Sequence, residues 1–378
     1  MIVRAKATTV IGHHERYILP LMRPQLPDAE ALLPYLKKID SSRHYTNFGP
    51  LNAELINRLV GFQKERFSRP VFGVTTSNAT LALELLIADL RLPRGSKILL
   101  PAFTFVASAS AVLRSGHVPV VADVCPESWM LEPALLPDTI ESDGIAAVMP
   151  VAVFGMPQSA SAWAQWRNKT GIPVIIDAAG AFGAQPTDTE VPVAISLHAT
   201  KSLSTGEGGL VLTEHKEHAE RLAQMTNFGI GLRDGLGGTN AKLSEYHAAV
   251  GLADFDAWPA KSQQRMRLYG FYKDTLEHFC GDRITFQHNV GLRSPTTMVI
   301  KFESSASRDE AEAKLSSAEI QTRRWYLPLI QNHPALTGVL SPYPTPHADD
   351  LAARLLGLPF FNDLAEGNVT KVATMLKH

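Results

Sequence analysis

From Val74 to about Gly209 the chain alternates short apolar runs with stretches of helical periodicity, and no other feature constrains its fold as strongly. The runs Lys97-Ile-Leu-Leu-Pro101, Val118-Pro-Val-Val-Ala-Asp123, Ala146-Ala-Val-Met-Pro-Val151, Val174-Ile-Ile-Asp177, Val193-Ala-Ile-Ser196 and Gly209-Leu-Val-Leu-Thr213 are bounded by turn residues. Their apolar residues are continuous rather than alternating, so both faces of each strand must be covered. Leu81 to Leu90 and Ala107 to Arg114 supply helices between them. The expected class is α/β, with a mainly parallel central sheet covered by helices. In such sheets functional groups gather at the carboxyl ends of the strands.

Outside this region the texture differs. Residues 1 to 50 form a mixed N-terminal segment with a short helix from Pro27 to Lys38 and a turn at Asn47-Phe-Gly-Pro50. Beyond Asn240, Leu243 to Trp258 reads as a helix, followed by a long charged helix to about His278. An alternating run at Thr296 to Phe302, a helix near Arg308 to Ser317 and a closing helix after Asn368 complete a smaller α+β unit. The expected division is a segment at 1–50, a large domain at 51–255 and a small C-terminal domain at 256–378.

Bulk properties narrow the function classes. A formal net charge of −1 gives no reason to invoke nucleic acid or an anionic membrane. Cys125 and Cys280 are the only cysteines, without a CxxC or Cys/His cluster, so neither a disulfide framework nor a zinc site is expected. His13, His14, Glu15 and Arg16 interrupt the N-terminal apolar stretch at once, which argues against an export signal. A cytoplasmic protein is expected.

The chemistry concentrates on two residues. Asp177 closes one apolar run, and Lys201, 24 positions later, follows the next and precedes Gly206-Glu-Gly-Gly209. Each alone fits a bland reading, a helix-capping acid or a solvated lysine. Together they are what a pyridoxal phosphate site requires: an amine to form a Schiff base with the aldehyde, and an acid to keep the pyridine nitrogen protonated. Thr76-Ser-Asn78-Ala79-Thr80 stands before a helix, whose unpaired amides suit a phosphate, though a plain N-cap by Ser77 or Asn78 is the simpler alternative. Ser196 could reach the same phosphate or merely end a strand. Phe105 could stack on a pyridine ring, whereas Phe103 reads as core.

Further motifs give these residues a family context. Tyr45-Thr-Asn-Phe-Gly-Pro50, Ser77-Asn-Ala-Thr-Leu-Ala-Leu83, Pro101-Ala-Phe-Thr-Phe-Val-Ala107, Pro119-Val-Val-Ala-Asp123, Asp177-Ala-Ala, Thr200-Lys201 with the glycines to Gly209, and Thr239-Asn-Ala-Lys-Leu-Ser-Glu245 occur in one order. Together they resemble the DegT/DnrJ/EryC1/StrS family of sugar aminotransferases, with a looser echo at Thr322-Arg-Arg-Trp-Tyr-Leu-Pro328. The resemblance implies the type I fold of pyridoxal-phosphate-dependent aminotransferases and a homodimer with shared sites. It makes Lys201 the Schiff-base lysine and Asp177 the partner of the ring nitrogen. It gives Phe105 the stacking position and the phosphate to Ala79, Thr80 and Ser196, with Asn240 reaching it from the second subunit; Asn78 is counted with them as cofactor-binding. L-glutamate as donor and a nucleotide-diphosphate-linked ketosugar as acceptor are implied with it. Arg233, Lys242, Arg323 and Arg324 are candidates for the diphosphate. Alternatives are a ketosugar dehydratase, which Lys201 opposes because such relatives carry His there, a cofactor-binding regulatory protein, and a cysteine desulfurase.

Two departures stand out. Gly180 occupies a position where the family usually has Gln or His, so a roomier pocket is expected, with water or a neighbour such as His198 replacing a lost hydrogen bond. Ile330 stands where many relatives have His.

Overall fold

A computed structural model of the chain describes residues 17–136, 139–188, 190–233, 235–288 and 295–377. The N-terminal stretch ending at Arg16, read above for an export signal, lies outside the described residues.

Two helices, α1 (Ala29–Ser42) and α2 (Pro50–Phe67), lead into β1 (Phe72–Thr76), α3 (Ala79–Asp89), β2 (Lys97–Pro101), α4 (Val106–Arg114), β3 (Val118–Ala122) and β4 (Ile145–Val148). Next come α5 (Ala160–Thr170), β5 (Ile176–Asp177), β6 (Val193–Ser196), β7 (Gly209–Thr213) and α6 (Lys216–Thr226). Every apolar run singled out in the sequence is a strand. β1, β7, β6 and β5 lie side by side in that order, as do β3, β2 and β4. Parallel bridges from Val148 to Val174 and from Val151 to Asp177 join the two sets into one sheet. Among the described residues of this sheet, only β7 runs against its neighbours.

Packing accounts for the continuous apolarity. Leu100, Ala194 and Val211 point into one buried cluster with α3, α4 and α6. Their chain neighbours Leu99, Ile195 and Leu210 point into a second cluster, with Leu55 and Leu59 of α2 and Trp163 of α5. Successive strand side chains face opposite ways, so a sheet buried on both sides needs apolar residues at every position.

The rest of the chain comprises α7 (Glu245–Asp256), α8 (Trp258–Cys280), β8 (Ile284–Thr285), β9 (Met298–Phe302), α9 (Ser305–Ser317), α10 (Pro346–Arg354), β10 (Leu355–Leu358) and α11 (Glu366–Met375). β10, β9 and β8 form a separate antiparallel sheet with its own core, which includes Tyr272, Leu315, Leu356 and Val369. The segment before α1 straps onto this sheet. Leu19 exchanges backbone hydrogen bonds with Glu319 and Gln321, the Leu21 carbonyl accepts from Phe360, and Lys261 reaches the Gln25 carbonyl. Among the described residues no helix is long and apolar enough to cross a membrane.

Candidate active site

The strand directions decide where functional groups meet. Thr76 ends β1 and Ser196 ends β6, and both pair with Gly209, the first residue of the reversed strand β7. One level of the sheet therefore carries two carboxyl ends and one amino end, with Asp177 at the end of β5 nearby. Only glycine fits at 209, because a Cβ there would lie 2.7 Å from the Asn78 carbonyl and would also strike Thr76. That close approach seats the start of α3 against the sheet. Asn78 caps the helix, its Oδ1 accepting from the Leu81 amide at 2.9 Å, and Ala79 and Thr80 of the first turn line a cavity.

Lys201 sits in a loop held by its own backbone. Ala199 donates to Gly206, Thr205 to Leu197, and Lys201 to His198, while Gly206 takes φ +84°, a conformation open to glycine. The buried Asp254 carboxylate accepts from the Ser204 amide at 2.9 Å and is paired with Lys261. The lysine is thus presented on a rigid turn. Burial pushes its amine below the ordinary lysine range, and Asp177 only partly opposes that. Asp177 is 5% exposed, and burial pushes its carboxyl up. Against this, Ser108 Oγ donates to Oδ2 at 2.7 Å and the Ala179 amide to Oδ1 at 3.1 Å. Ser108 is in turn 3.1 Å from the Thr104 hydroxyl. A buried carboxylate so held calls for a cation, and a lysine whose pKa is lowered is a better nucleophile and base than a solvated one.

Both residues line one cavity of about 420 Å³. Asn78, Ala79, Thr80, Phe105 and Ser196 line it too, so the structure brings together every catalytic and cofactor-binding candidate predicted from sequence except Asn240. Asn240 stands exposed, its Oδ1 accepting from Lys242 at 2.7 Å. Of the four candidate cations, only Arg323 reaches the cavity. Lys242 is bound to Asn227 and Asn240, Arg324 to Glu312 and Asp309, and Arg233 is not among the lining residues. A larger open hollow of about 1080 Å³, between Phe62, Trp163 and Pro186, contains neither Lys201 nor Asp177.

Sequence reasoning missed several lining groups. Tyr326 stacks on Phe154 at 5.6 Å and lies 5.1 Å from Phe103 and 6.3 Å from Phe105. Burial and the nearby Asp177 push its phenol well up, so it stays protonated. Its only sequence signal was the motif echo that contains it. Phe103 is fully buried, as expected of a core residue. Ser108 gave no signal, since its partner is 69 residues away. The pocket at Gly180 is not roomier: a Cβ there would lie 3.2 Å from the Gly155 nitrogen and 3.4 Å from Thr296 Oγ1. Nor does His198 turn its Nδ1 to that gap, since Nδ1 accepts from the Thr200 amide at 3.2 Å.

Comparison with known proteins agrees with this geometry. The sequence pattern that defines the DegT/DnrJ/EryC1/StrS aminotransferase family is met over residues 28–377. The dTDP-4-amino-4,6-dideoxy-D-glucose transaminase of Shigella dysenteriae is 29% identical over 94% of this chain and 97% of its own. The erythromycin biosynthesis sensory transduction protein EryC1 of Saccharopolyspora erythraea is 30% identical over 80% of this chain and 84% of its own. The crystal structure of DesI in the presence of its TDP-sugar product superposes with a TM-score of 0.84 at 28% identity, covering 95% of this chain and 92% of DesI. The chain belongs to the DegT/DnrJ/EryC1/StrS aminotransferase family and has the type I aminotransferase fold.

Proposed function

We propose that this protein is a pyridoxal-phosphate-dependent aminotransferase that moves an amino group from L-glutamate to a nucleotide-diphosphate-linked ketosugar. One observation carries the reading: a buried, doubly hydrogen-bonded acid and a lysine of lowered pKa share a cavity floored by a helix N-terminus. The cofactor fits these groups. Its phosphate suits the α3 amides of Ala79 and Thr80 with Asn78 and Ser196, its ring nitrogen the Asp177 carboxylate, its face Phe105, and its aldehyde the Lys201 amine. Bound there, pyridoxal phosphate supplies the electron sink for breaking the donor's Cα–H bond.

The chain's own residues do the rest. Lys201 Nζ takes the proton from the donor α-carbon and returns it on the cofactor side, its lowered pKa favouring the unprotonated amine that this needs. Asp177 is placed to hold the ring nitrogen protonated, and the Ser108 hydrogen bond favours the carboxylate's anionic form against the effect of burial. Arg323, the cavity's arginine, is suited to the donor carboxylate or the acceptor diphosphate. The relatives' names point to the acceptor class: a dTDP-sugar transaminase and a protein crystallised with its TDP-sugar product.

A homodimer belongs to the same proposal. Phe228, Ile230, Tyr246, Tyr45 and Phe48 are large, exposed apolar side chains, and the first two lie on the segment leading to Asn240. A second copy covering them would bring Asn240 to a cofactor phosphate. The division at 50 and 255 is proposed on the separate core of the C-terminal sheet. A reducing cytoplasm suits the two unpaired cysteines.

The test is the visible absorption of the protein loaded with pyridoxal phosphate. A band that bleaches on adding L-glutamate, and is missing from Lys201→Ala with the fold retained, is expected. No band in the native protein, or wild-type transamination by Lys201→Ala, would overturn the reading. A stable band with no turnover on any ketosugar would place the protein beside EryC1's named role instead.

A further inference from the structure

A second, narrower pocket shares Lys201 with the active cavity. It measures about 20 Å³ and lies where the lysine turn, the strap before α1, α8 and the stretch after β10 converge. Four cationic side chains line it, Arg23, Lys201, Lys261 and Arg265, and among the described residues no acid does.

These cations differ in how they are compensated. Arg23 stands in solvent and pairs with Asp363 at 3.3 Å. Lys261 is held by the Asp254 carboxylate and the Gln25 carbonyl. Arg265 is 7% exposed, lies over the Phe360 ring at 5.5 Å, and makes no ion pair among the described residues. Asp254, the acid whose charge bears on it, already accepts from Lys261 and from the Ser204 amide. Burial pushes the guanidinium down only to about 10, so it is charged at neutral pH.

Neutral donors around it lack partners too. Arg265 Nε donates to Asn362 Oδ1 at 3.0 Å, which fixes the amide, since turning it over would set an NH2 group against the guanidinium. Asn362 Nδ2 can then only donate. It and Ser202 Oγ are buried without a hydrogen-bond partner among the described residues, on side chains 7% and 3% exposed. Buried polar groups are normally satisfied, so an uncompensated arginine beside two unpaired donors points to a ligand that accepts from all three. A water would satisfy the donors and leave the charge. A pocket with room for one water-sized particle excludes a phosphate or a carboxylate.

We propose that this pocket binds a single halide ion, such as chloride, through the Arg265 guanidinium, Asn362 Nδ2 and Ser202 Oγ. Ser202 directly follows Lys201, so the ion ties the turn that presents the amine to α8 and to the stretch after β10. The site needs no cofactor and stands apart from the transamination reading.

The experiment follows thermal unfolding of protein dialysed into sodium gluconate and titrated with sodium chloride at constant ionic strength. Crystals grown in bromide are examined by anomalous scattering. The melting temperature is expected to rise and saturate, by about 2–4 °C in all, with a bromide peak between Arg265 and Asn362. Ser202→Ala, which removes one donor, should raise the half-saturating chloride concentration roughly five- to tenfold. Asn362→Asp builds the negative charge into the chain, and should make melting independent of chloride without lowering it below the native value in gluconate. Equal melting in gluconate and chloride with no bromide peak would mean water only, and would overturn the proposal. A response that never saturates, or is unchanged in both variants, would be a general salt effect and overturn it as well. So would a bromide peak with no response in solution, which marks binding at crystal concentration only.

Discussion

Ser108 and Asp177 show how a single hydroxyl can set the state of a buried acid. Burial drives the Asp177 carboxyl upward, and the 2.7 Å bond from Ser108 Oγ is first among the influences that hold it down. Replacing Ser108 with Ala therefore leaves Asp177 easier to protonate and less able to keep the ring nitrogen charged. A drop in kcat of roughly tenfold is expected, in line with losing one charge-assisted hydrogen bond. The acid limb of the kcat–pH profile should move to higher pH while the cofactor still binds; an unmoved profile would sink the idea. At this scale the sequence was legible where chemistry needs a rare residue in a particular place. A lysine and an acid at neighbouring strand ends have few other joint explanations. Ser108, Tyr326 and Thr296 are ordinary residues in ordinary local settings, and only the tertiary fold turns them toward the cavity. Gly180 misled for the same reason: a missing side chain reads as space, whereas a Cβ there would press on Gly155 and touch Thr296.

Between elements, helices were legible when their signals were local. α3 announces itself with Asn78 as its cap, and α9 with Ser304. α2 was missed, since its N-cap is Gly49, without a side chain, and its cap comes from far away. The buried Glu245 carboxylate, at the start of α7, accepts from the Leu51 and Asn52 amides at 2.8 Å each. Such a cap across 194 residues leaves no mark near Pro50. A second long-range tie is open to test. Asp89, the last residue of α3, accepts from Arg221 of α6 at 2.6 Å through both oxygens and pairs with His218 at 3.1 Å. Burial alone would raise its pKa, but these partners outweigh it and hold the carboxyl at about 2. A carboxyl depressed in the fold stabilises it above the unfolded pKa, near 3.8, and that contribution fades as pH falls through about 2. Asp89→Asn should therefore cost on the order of 2 kcal/mol at neutral pH, and progressively less on acidification below that upper value. Urea denaturation of both proteins across that range measures it; a pH-independent difference would show that the ion pairs are not the cause.

The whole molecule was legible as a class. A covered, mainly parallel sheet followed by a smaller unit could be read because burial on both faces writes itself into composition strand by strand. The assembly could not be read from periodicity, which says nothing of what an exposed apolar residue faces. Phe228 and Ile230 are 58% and 67% exposed, a cost in water that a second copy would remove. Sedimentation of the native protein is expected to give a dimer, and Ile230→Asp with Phe228→Asp to give monomers that have lost most of their turnover, as the proposed contact from Asn240 to a neighbour's cofactor requires. A fully active native monomer would contradict this.

The strap before α1 has a consequence for how the protein is made. Met22, Thr296, Arg323 and Tyr326 all line the cavity, and the strap that carries Met22 rests on Glu319, Gln321 and Phe360. A nascent chain that has emerged from the ribosome only as far as α7 already displays Asp177 and Lys201, yet one side of their cavity is still untranslated. The strap has nothing to lie on until the residues around Phe360 have left the exit tunnel. The cavity is then completed among the last events of biosynthesis, and a chain cut short just after α8 would carry Lys201 without Thr296, Arg323 and Tyr326 around it.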